Sequence, residues 1–369
     1  MSTARQRFLS DFQTRLGMAG ILLLLLPAVF APLLVNGRPL LACDLDGRWS
    51  LPFVRFLFAP DSSEKVVEQL FNYTMLLFPL WLLLRRHLKI LLAAALLLLL
   101  PFVLTKSKLD KTDYRQQNYR WAVFAPIPYG PYEIVGTPYA KPDRKHYLGL
   151  DNVGRDVTAR MVYGARSSLA VGLIATAIAL IIGTVVGMLI GFYRGVYDLV
   201  AMRVIEILLC FPTFLLLLIL MSMLRDYKFE QSILIVIAII GLTGWIGLAI
   251  LVRGEVLKQR PLGYIQSCLV TGLPTRRILF FHLLPNITGP ILISFTFGVA
   301  GSILAESSLS FLGFGVQPPT PSWGALLSQA FDNPLSYWHL MFFPGLALFL
   351  AVLSFNITGE GLRKALIVR

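Results

Sequence analysis

Residues 253–286 read RGEVLKQRPLGYIQSCLVTGLPTRRILFFHLLPN, a polar and basic interval between two long apolar runs. Pro261 and Gly263 predict the end of the helix that precedes them. The residues that follow carry Ile265 and Leu269 four apart, which places both on one face of a short amphipathic helix. A short helix that exposes apolar residues between two membrane spans is predicted to dock on a partner protein.

The short helix 264–271 is predicted to end at Gly272, and a second helix to begin two residues later. This second helix carries two arginines and His282, and it reaches Leu284 and Pro285, where the next apolar run begins. The interval is too long for a tight turn. An ordinary cytoplasmic connector is the alternative reading.

The order of glycine, nine residues, histidine, one residue and Leu-Pro resembles the conserved loop of ABC-importer permeases. That loop begins Glu-Ala-Ala, and the corresponding positions here are Gln266, Ser267 and Cys268, which is a departure from the family. The resemblance implies that the loop docks on a cytoplasmic ATPase subunit. The implied docking residues are Tyr264, Ile265, Gln266, Leu269, Gly272, His282, Leu284 and Pro285.

Composition independently indicates a polytopic membrane protein: 56% of the 369 residues are hydrophobic, 14% are charged, and the mean hydropathy is +0.70. The net charge of +13 comes from basic residues spread over loops and helix ends, so we expect no nucleic-acid partner. Three widely spaced cysteines indicate neither a disulfide framework nor a metal site.

Apolar runs predict eight spans, which places both termini in the cytoplasm. The spans are roughly 16–35, 70–84, 90–104, 168–191, 200–224, 231–252, 284–306 and 337–360. Lysine and arginine favour this orientation once the long segment before residue 167 is left out, because long loops translocate regardless of charge.

The predicted fold is an all-α polytopic membrane protein, and the resemblance implies the transmembrane domain of a type I ABC importer with an extra N-terminal helical hairpin. The predicted regions are the N-terminus with the first span (1–35), an extracytoplasmic loop (36–65), the extra transmembrane hairpin (66–105), an extracytoplasmic segment with an interfacial helix (106–166), and a permease core of five spans (167–369) that includes the docking loop 253–285.

Two further stretches resemble the dipeptide and oligopeptide branch of these permeases. The first contains a Leu-Gly-x-Asp-x-x-Gly-Arg-Asp pattern before a short helix that runs toward Tyr163, and its matching residues are Leu148, Gly149, Asp151, Gly154, Arg155 and Asp156. The second, 305–327, contains Ser-Leu-Ser-Phe-Leu-Gly followed by a proline-rich run. The resemblance implies that this second stretch lies at the outer mouth of the transport pathway, where a binding protein delivers the substrate. The candidate residues for the pathway or its mouth are Glu306, Ser308, Pro318, Pro319 and Trp323.

Glu306 is also a candidate by its chemistry, because an ionisable side chain inside a span is expensive and usually functional. Simple solvation at the aqueous edge of the membrane is the alternative. Gly183, Gly187 and Gly191 recur every four residues, which gives one helix a bare face for close packing. That face could serve packing inside this chain, or a subunit interface or pathway.

The expected function is that of a non-catalytic permease subunit of an ABC importer in a bacterial inner membrane. No phosphate-binding loop occurs, so we expect no catalytic residue and no cofactor or metal on this chain, with ATP and Mg²⁺ bound by partner ATPase subunits. The expected partners also include a second homologous permease, an extracytoplasmic solute-binding protein and membrane lipid.

The resemblance implies transport of peptides, and a weaker likeness near residues 38–52 is to the Yej-type E subunit of peptide and microcin C importers. An importer of another small solute such as nickel is an alternative within the same class. A secondary transporter is another alternative, and it would need coupling ionisable groups deep inside its spans. A membrane scaffold without transport activity is the third.

Overall fold

The structure is a computed structural model that describes residues 6, 8, 10–58, 64–84, 87–104, 114–226 and 232–367. The predicted basic tip of the hairpin at Arg85 and Arg86, and the beginning of the 106–166 segment, lie outside the described residues. Two compact units make up the chain. Unit 1 is Met1–Ile21, Ala170–Leu309 and Phe349–Arg369, and unit 2 is Leu22–Leu169 and Ser310–Leu348.

Helices dominate the described chain. In chain order they are α1 Phe12–Val29, α2 Ala31–Leu34, α3 Pro52–Phe58, α4 Lys65–Leu84, α5 Leu88–Leu104, α6 Val157–Tyr193, α7 Gly195–Leu209, α8 Thr213–Asp226, α9 Ile233–Thr243, α10 Trp245–Gln259, α11 Gly263–Val270, α12 Thr275–Arg277, α13 Leu284–Phe311, α14 Trp323–Ser328 and α15 Trp338–Ile367. A 3₁₀ turn covers Tyr114–Gln116 and a π-helical turn covers Ile278–Leu283.

Six helical stretches in the described residues are long and apolar enough to cross a membrane. They are Phe12–Val29, Lys65–Leu84, Val157–Tyr193, Ile233–Gln259, Thr275–Phe311 and Trp338–Leu366. The bent pair α7 and α8 raises the number to seven. The expected eighth, Leu88–Phe102, is apolar but short, because a helix rises only about 1.5 Å per residue against a core of about 30 Å.

The expectation of one continuous span over 200–224 is wrong. Helices α7 and α8 meet at an angle of 77°, with the break between Leu209 and Thr213. Pro212 lies in that break, and a proline there cannot donate the backbone bond that a continuous helix would need.

The stretch expected to be only a loop, 36–65, contains two strands and helix α3. Strands β1 Leu41–Asp44 and β2 Trp49–Ser50 join β3 Tyr119–Val123 in an antiparallel sheet of order β2–β1–β3. The short interfacial helix expected before residue 166 is not separate either. Helix α6 begins at Val157 and continues unbroken to Tyr193.

The predicted extra hairpin is bonded to its surroundings in unit 2. Gln69 donates to the backbone oxygens of Phe58 (3.1 Å) and Phe102 (3.3 Å). Asn72, which is fully buried, accepts a 2.8 Å bond from the guanidinium of Arg166. Arg166 also donates to the last carbonyls of α1, at Ala28 and Val29. This buried cation therefore satisfies the end of one helix and ties the hairpin to α6.

Candidate functional site

The segment predicted to dock forms helix α11, and its end follows the prediction. Gly272 adopts a φ of +71°, a left-handed conformation that favours glycine. Its N–H donates to the oxygen of Leu269 (3.1 Å), while the N–H of Leu273 donates to that of Cys268 (3.1 Å). This is the Schellman arrangement that satisfies the carbonyls at a helix end.

The apolar face of α11 that the spacing predicted for docking is only partly exposed. Ile265 is fully buried and Cys268 is 8% exposed, and both belong to a cluster in unit 1 with Val256, Leu279 and other apolar residues. Ile265 is thus an anchor and cannot touch a partner. The exposed apolar surface is instead formed by Leu269 (38% exposed) and Val270 (87% exposed), the latter not indicated by the sequence.

Two side-chain hydrogen bonds attach α11 to the end of α10. The amide nitrogen of Gln266 donates to the backbone oxygen of Arg260 at 2.9 Å, and the hydroxyl of Tyr264 donates to Gln259 at 2.8 Å. Partial burial raises the pKa of Tyr264, so its hydroxyl remains a donor at neutral pH. An ionised glutamate at position 266 has no N–H and could not make the first bond.

The second predicted helix is also present and runs without interruption from Thr275 into α13. His282 lies in its π-helical turn, and its backbone oxygen accepts a 2.6 Å bond from the side chain of Asn286. Leu284 is half-buried, whereas Pro285 is exposed. A π-helical turn inside an α-helix is frequent at functional sites.

The three spaced glycines of α6 face α10 within unit 1. A Cβ built on Gly183 would lie 2.8 Å from the oxygen of Trp245, and one built on Gly187 would lie 2.5 Å from the oxygen of Ala249. At Gly191 the nearest atom would be a side-chain carbon of Val256, at 2.8 Å. The bare face of α6 therefore lets two helices of the same chain approach closely.

A cavity of about 290 Å³ lies between helices of unit 1 and was not indicated by any motif. Its polar lining consists of the hydroxyl residues Thr176, Thr213, Thr243, Ser294 and Ser302. The hydroxyls of Thr176 and Ser302 are 3.0 Å apart and hydrogen-bonded. Glycines on α10 and α13 form much of the remaining wall, which brings the backbone close to the open space.

Glu306 is fully buried on α13, so the alternative that water at the membrane edge solvates it is wrong. Its carboxylate accepts a 3.3 Å bond from the hydroxyl of Ser307. The neighbouring residue Ala305 lines the cavity, whereas Glu306 does not. Ser308, predicted for the same mouth, is exposed.

The Leu-Gly-x-Asp-x-x-Gly-Arg-Asp motif forms a buried polar cluster at the beginning of α6. Asp151 is fully buried and accepts a 2.7 Å bond from the guanidinium of Arg155. Asp156 caps α6 by accepting from the N–H of Ala159 (2.8 Å), and its second oxygen lies 2.8 Å from a ring nitrogen of His146. The motif thus shapes the turn that precedes α6.

Arg160, which no motif indicated, joins this cluster to the proline-rich run within unit 2. Its guanidinium donates to the backbone oxygens of Pro131 (3.2 Å) and Pro319 (3.1 Å). Pro318 and Pro319 are exposed, whereas Trp323 is 1% exposed and donates from its indole N–H to the oxygen of Met161 (3.2 Å). Trp323 therefore holds the run in place, and the two prolines form its surface.

Comparison with known proteins identifies the family. Residues 183–369 match the family described as the binding-protein-dependent transport system inner membrane component. The chain belongs to this family. It is 39% identical, over 225 residues, to the glutathione transport system permease protein GsiD of Pectobacterium atrosepticum, with 61% of this chain and 73% of that protein covered. The GsiD proteins of Escherichia coli and Shigella boydii are 40% identical over the same shares.

The expected resemblance to ABC-importer permeases of the peptide branch is confirmed by these relatives. A family of inner membrane components that serves binding-protein-dependent transport also agrees with the six apolar helical stretches. The finer likeness to the Yej-type subunit stays a prediction, as do the roles of the individual docking and mouth residues.

Proposed function

We propose that this chain is the permease subunit of an ATP-binding-cassette importer that carries short peptides or peptide-like solutes. The similarity to permeases named for the transport of glutathione, a small peptide, supports the substrate class. A solute-binding protein delivers the substrate outside, in keeping with the family description.

The energy comes from cytoplasmic ATPase subunits that bind ATP and Mg²⁺. A second, homologous permease completes the translocation pathway, because assemblies of this kind are commonly two-fold or pseudo-two-fold. Both termini are placed in the cytoplasm, on the same side as α11; this arrangement takes α5 and the bent pair α7–α8 as spans in addition to the six longer stretches. The basic side chains Arg276 and Arg277, which follow α11 and are exposed, fit a cytoplasmic location.

Helix α11 acts as a lever between the ATPase and the spans. Burial of Ile265 fixes the helix to the cluster that also holds Val256 of α10 and Ile287 of α13. The bonds made by Tyr264 and Gln266 close the short connection to α10. A displacement of α11 is therefore passed to both neighbouring spans, as in rigid-body switching, and is not absorbed by a hinge.

The cavity in unit 1 is the proposed part of the pathway contributed by this chain. A peptide carries backbone N–H and C=O groups that lose free energy when they leave water without new hydrogen bonds. The hydroxyls of Thr213 and Ser294 can both donate and accept, and the hydroxyl of Thr243, which donates to the backbone oxygen of Ile239, can still accept. The lining can therefore serve either peptide group without selecting a side chain. Such a lining suits substrates of varied sequence.

The exposed apolar surface of α11 is the observation that carries the proposal. Val270 is 87% exposed at the end of a helix whose opposite face is buried, as expected for an apolar residue that a partner protein covers in the complex. The test is co-purification of the tagged chain, from its native membrane in mild detergent, with Val270→Asp and Leu269→Asp as variants. Leu335→Asp is the matched control, because Leu335 is 91% exposed in a loop of unit 2.

An ATPase subunit and a second permease should accompany the native chain and the Leu335→Asp control, and the ATPase should be lost from both α11 variants. If both α11 variants retain the ATPase, α11 is not the docking site. Reconstituted complexes should then import a labelled dipeptide only when ATP and a binding protein are supplied. Import driven by an ion gradient without ATP would instead identify a secondary transporter, and uptake of nickel alone another solute class.

A further inference from the structure

The three-stranded sheet of unit 2 carries two tryptophans on one face. Cys43 of β1 is paired with Trp49 on one side and with Trp121 on the other, so the three side chains point to the same face. The two indole rings meet edge to face above Cys43, with centroids 5.9 Å apart at 66°. Trp49 is 65% exposed and Trp121 is 49% exposed.

In this sheet the face with the large apolar side chains is exposed, and the face with small side chains is turned inward. Val123, on the tryptophan face, is also exposed. The opposite face carries Ala42, which is fully buried, and its partners Ser50 and Ala122. An antiparallel sheet ordinarily packs its large apolar side chains inward and leaves the small or polar face to water. Exposure of the large apolar face therefore indicates a surface that something else covers.

The chain on both sides of the sheet favours a lipid surface as the cover. Leu34, at the end of α2, is exposed, and only six residues separate it from β1, which limits their separation to about 25 Å. After β2, Leu51 and Val54 are 55% and 39% exposed, and α4 then begins a span. Exposed apolar side chains thus occur before β1 and after β2, in the part of the chain that joins two candidate membrane spans.

The side chains themselves suit the headgroup region of a bilayer. Tryptophan is enriched at the boundary between hydrocarbon and water, where its ring is apolar and its N–H remains hydrated. Arg48 directly precedes Trp49 in the turn between β1 and β2 and is exposed, so its cation can reach lipid phosphates. From this geometry we infer that the Trp49–Trp121 face of the sheet lies on the lipid headgroup region of the membrane.

This contact holds the segment between α1 and α4 against the membrane surface, and it does not depend on which solute is carried. The test uses the full chain in nanodiscs of phosphatidylethanolamine and phosphatidylglycerol. One set of nanodiscs contains lipid brominated close to the headgroup, and a second set contains lipid brominated at the chain end. Tryptophan emission is compared between the native chain and the double variant Trp49→Phe, Trp121→Phe, which keeps aromatic rings on the sheet.

The difference between the two proteins isolates the emission of these two indoles from that of the remaining four tryptophans. Shallow bromine should lower this difference about two-fold, as expected for side chains at the interface, and deep bromine should leave it unchanged. Quenching by neither lipid would overturn the inference, and so would quenching by deep bromine alone. Quenching that disappears when the partner subunits are present would show that a protein covers the face, and would overturn it as well.

Discussion

Replacement of Gly187 by alanine tests the close contact between α6 and α10. The new Cβ would lie 2.5 Å from the oxygen of Ala249 and 2.8 Å from the Cβ of Val252, about 1 Å inside an ordinary van der Waals contact. The first obstacle is helix backbone and the second a β-branched side chain. Neither can rotate away, so the two helices must separate, at an overpacking cost of about 1–3 kcal/mol.

Gly254→Ala is the matched control because a Cβ on Gly254, in α10, meets nothing within 4 Å. Both substitutions gain the same helix preference of alanine over glycine, about 1 kcal/mol, so their difference isolates the packing cost. Gly187→Ala should therefore be less stable than Gly254→Ala by about 1–3 kcal/mol, which corresponds to about 2–4 °C per kcal/mol in Tm.

Thermal unfolding in detergent can be followed with a dye that becomes fluorescent on reaction with thiols. Cys43 and Cys268 are buried and react only after unfolding, whereas Cys210 is exposed and is replaced by serine in every variant. If the two alanine variants unfold within about 0.5 kcal/mol of each other, the helices are not in the described contact and the reasoning is wrong.

Three other predictions concern the connections around the spans. Gly272→Ala should destabilise α11 by about 1–2 kcal/mol, because its φ of +71° is costly for a residue with a Cβ, and Gly272→Asn should cost less; equal effects in hydrogen exchange of α11 would contradict this. Gln266→Glu should lower the local stability of α11 by about 0.5–1.5 kcal/mol, because it removes the donor to the backbone oxygen of Arg260, and hydrogen exchange of α11 should become faster. Unchanged exchange would show that this bond does not stabilise α11. Asp143 accepts from the N–H groups of Lys145 and His146, and these bonds hold the pKa of its carboxyl below the usual range. Because the pKa of Asp143 is lower in the folded chain than in the unfolded chain, its bonds should stabilise the turn fully above about pH 4 and be lost as the pH falls further. Hydrogen exchange of the turn, corrected for intrinsic rates, measures this loss. Exchange that changes neither with acid nor with Asp143→Asn at pH 7 would refute the role of the carboxylate.

The sequence predicted helix α11 because the determinants of the helix are local. Proline, glycine and the polar interval define α11, and Gly272 ends it through its own backbone conformation. The exposed apolar face was only partly predicted, because spacings of three and four are both compatible with one helix face. Ile265 pairs with Cys268 in the core and not with Leu269, and only the position of the neighbouring spans decides between them.

Non-local structure was out of reach of the sequence. The pairing of β1 with β3 joins residues 41–44 to 119–123 across the three intervening helices α3, α4 and α5, so these two strands have no hairpin signal. The cavity is likewise assembled from hydroxyls on separate helices, among them Thr176, Thr213 and Ser294, which carry no common motif. Burial of Glu306 depends in the same way on tertiary packing and not on its place in the apolar run.

The two hydrogen bonds that Arg160 donates to backbone oxygens determine which segments have to be exchanged together in a chimera of two related permeases. One guanidinium serves the carbonyls of Pro131 and Pro319 while its own helix begins at the Asp156 cap. A chimera in which only the proline-rich run is taken from a relative would place a different backbone against the Arg160 guanidinium. The part that can be exchanged is therefore discontinuous: it comprises the turn at Pro131, the beginning of α6 and the run that ends at Trp323, and a chimera has to exchange all three together.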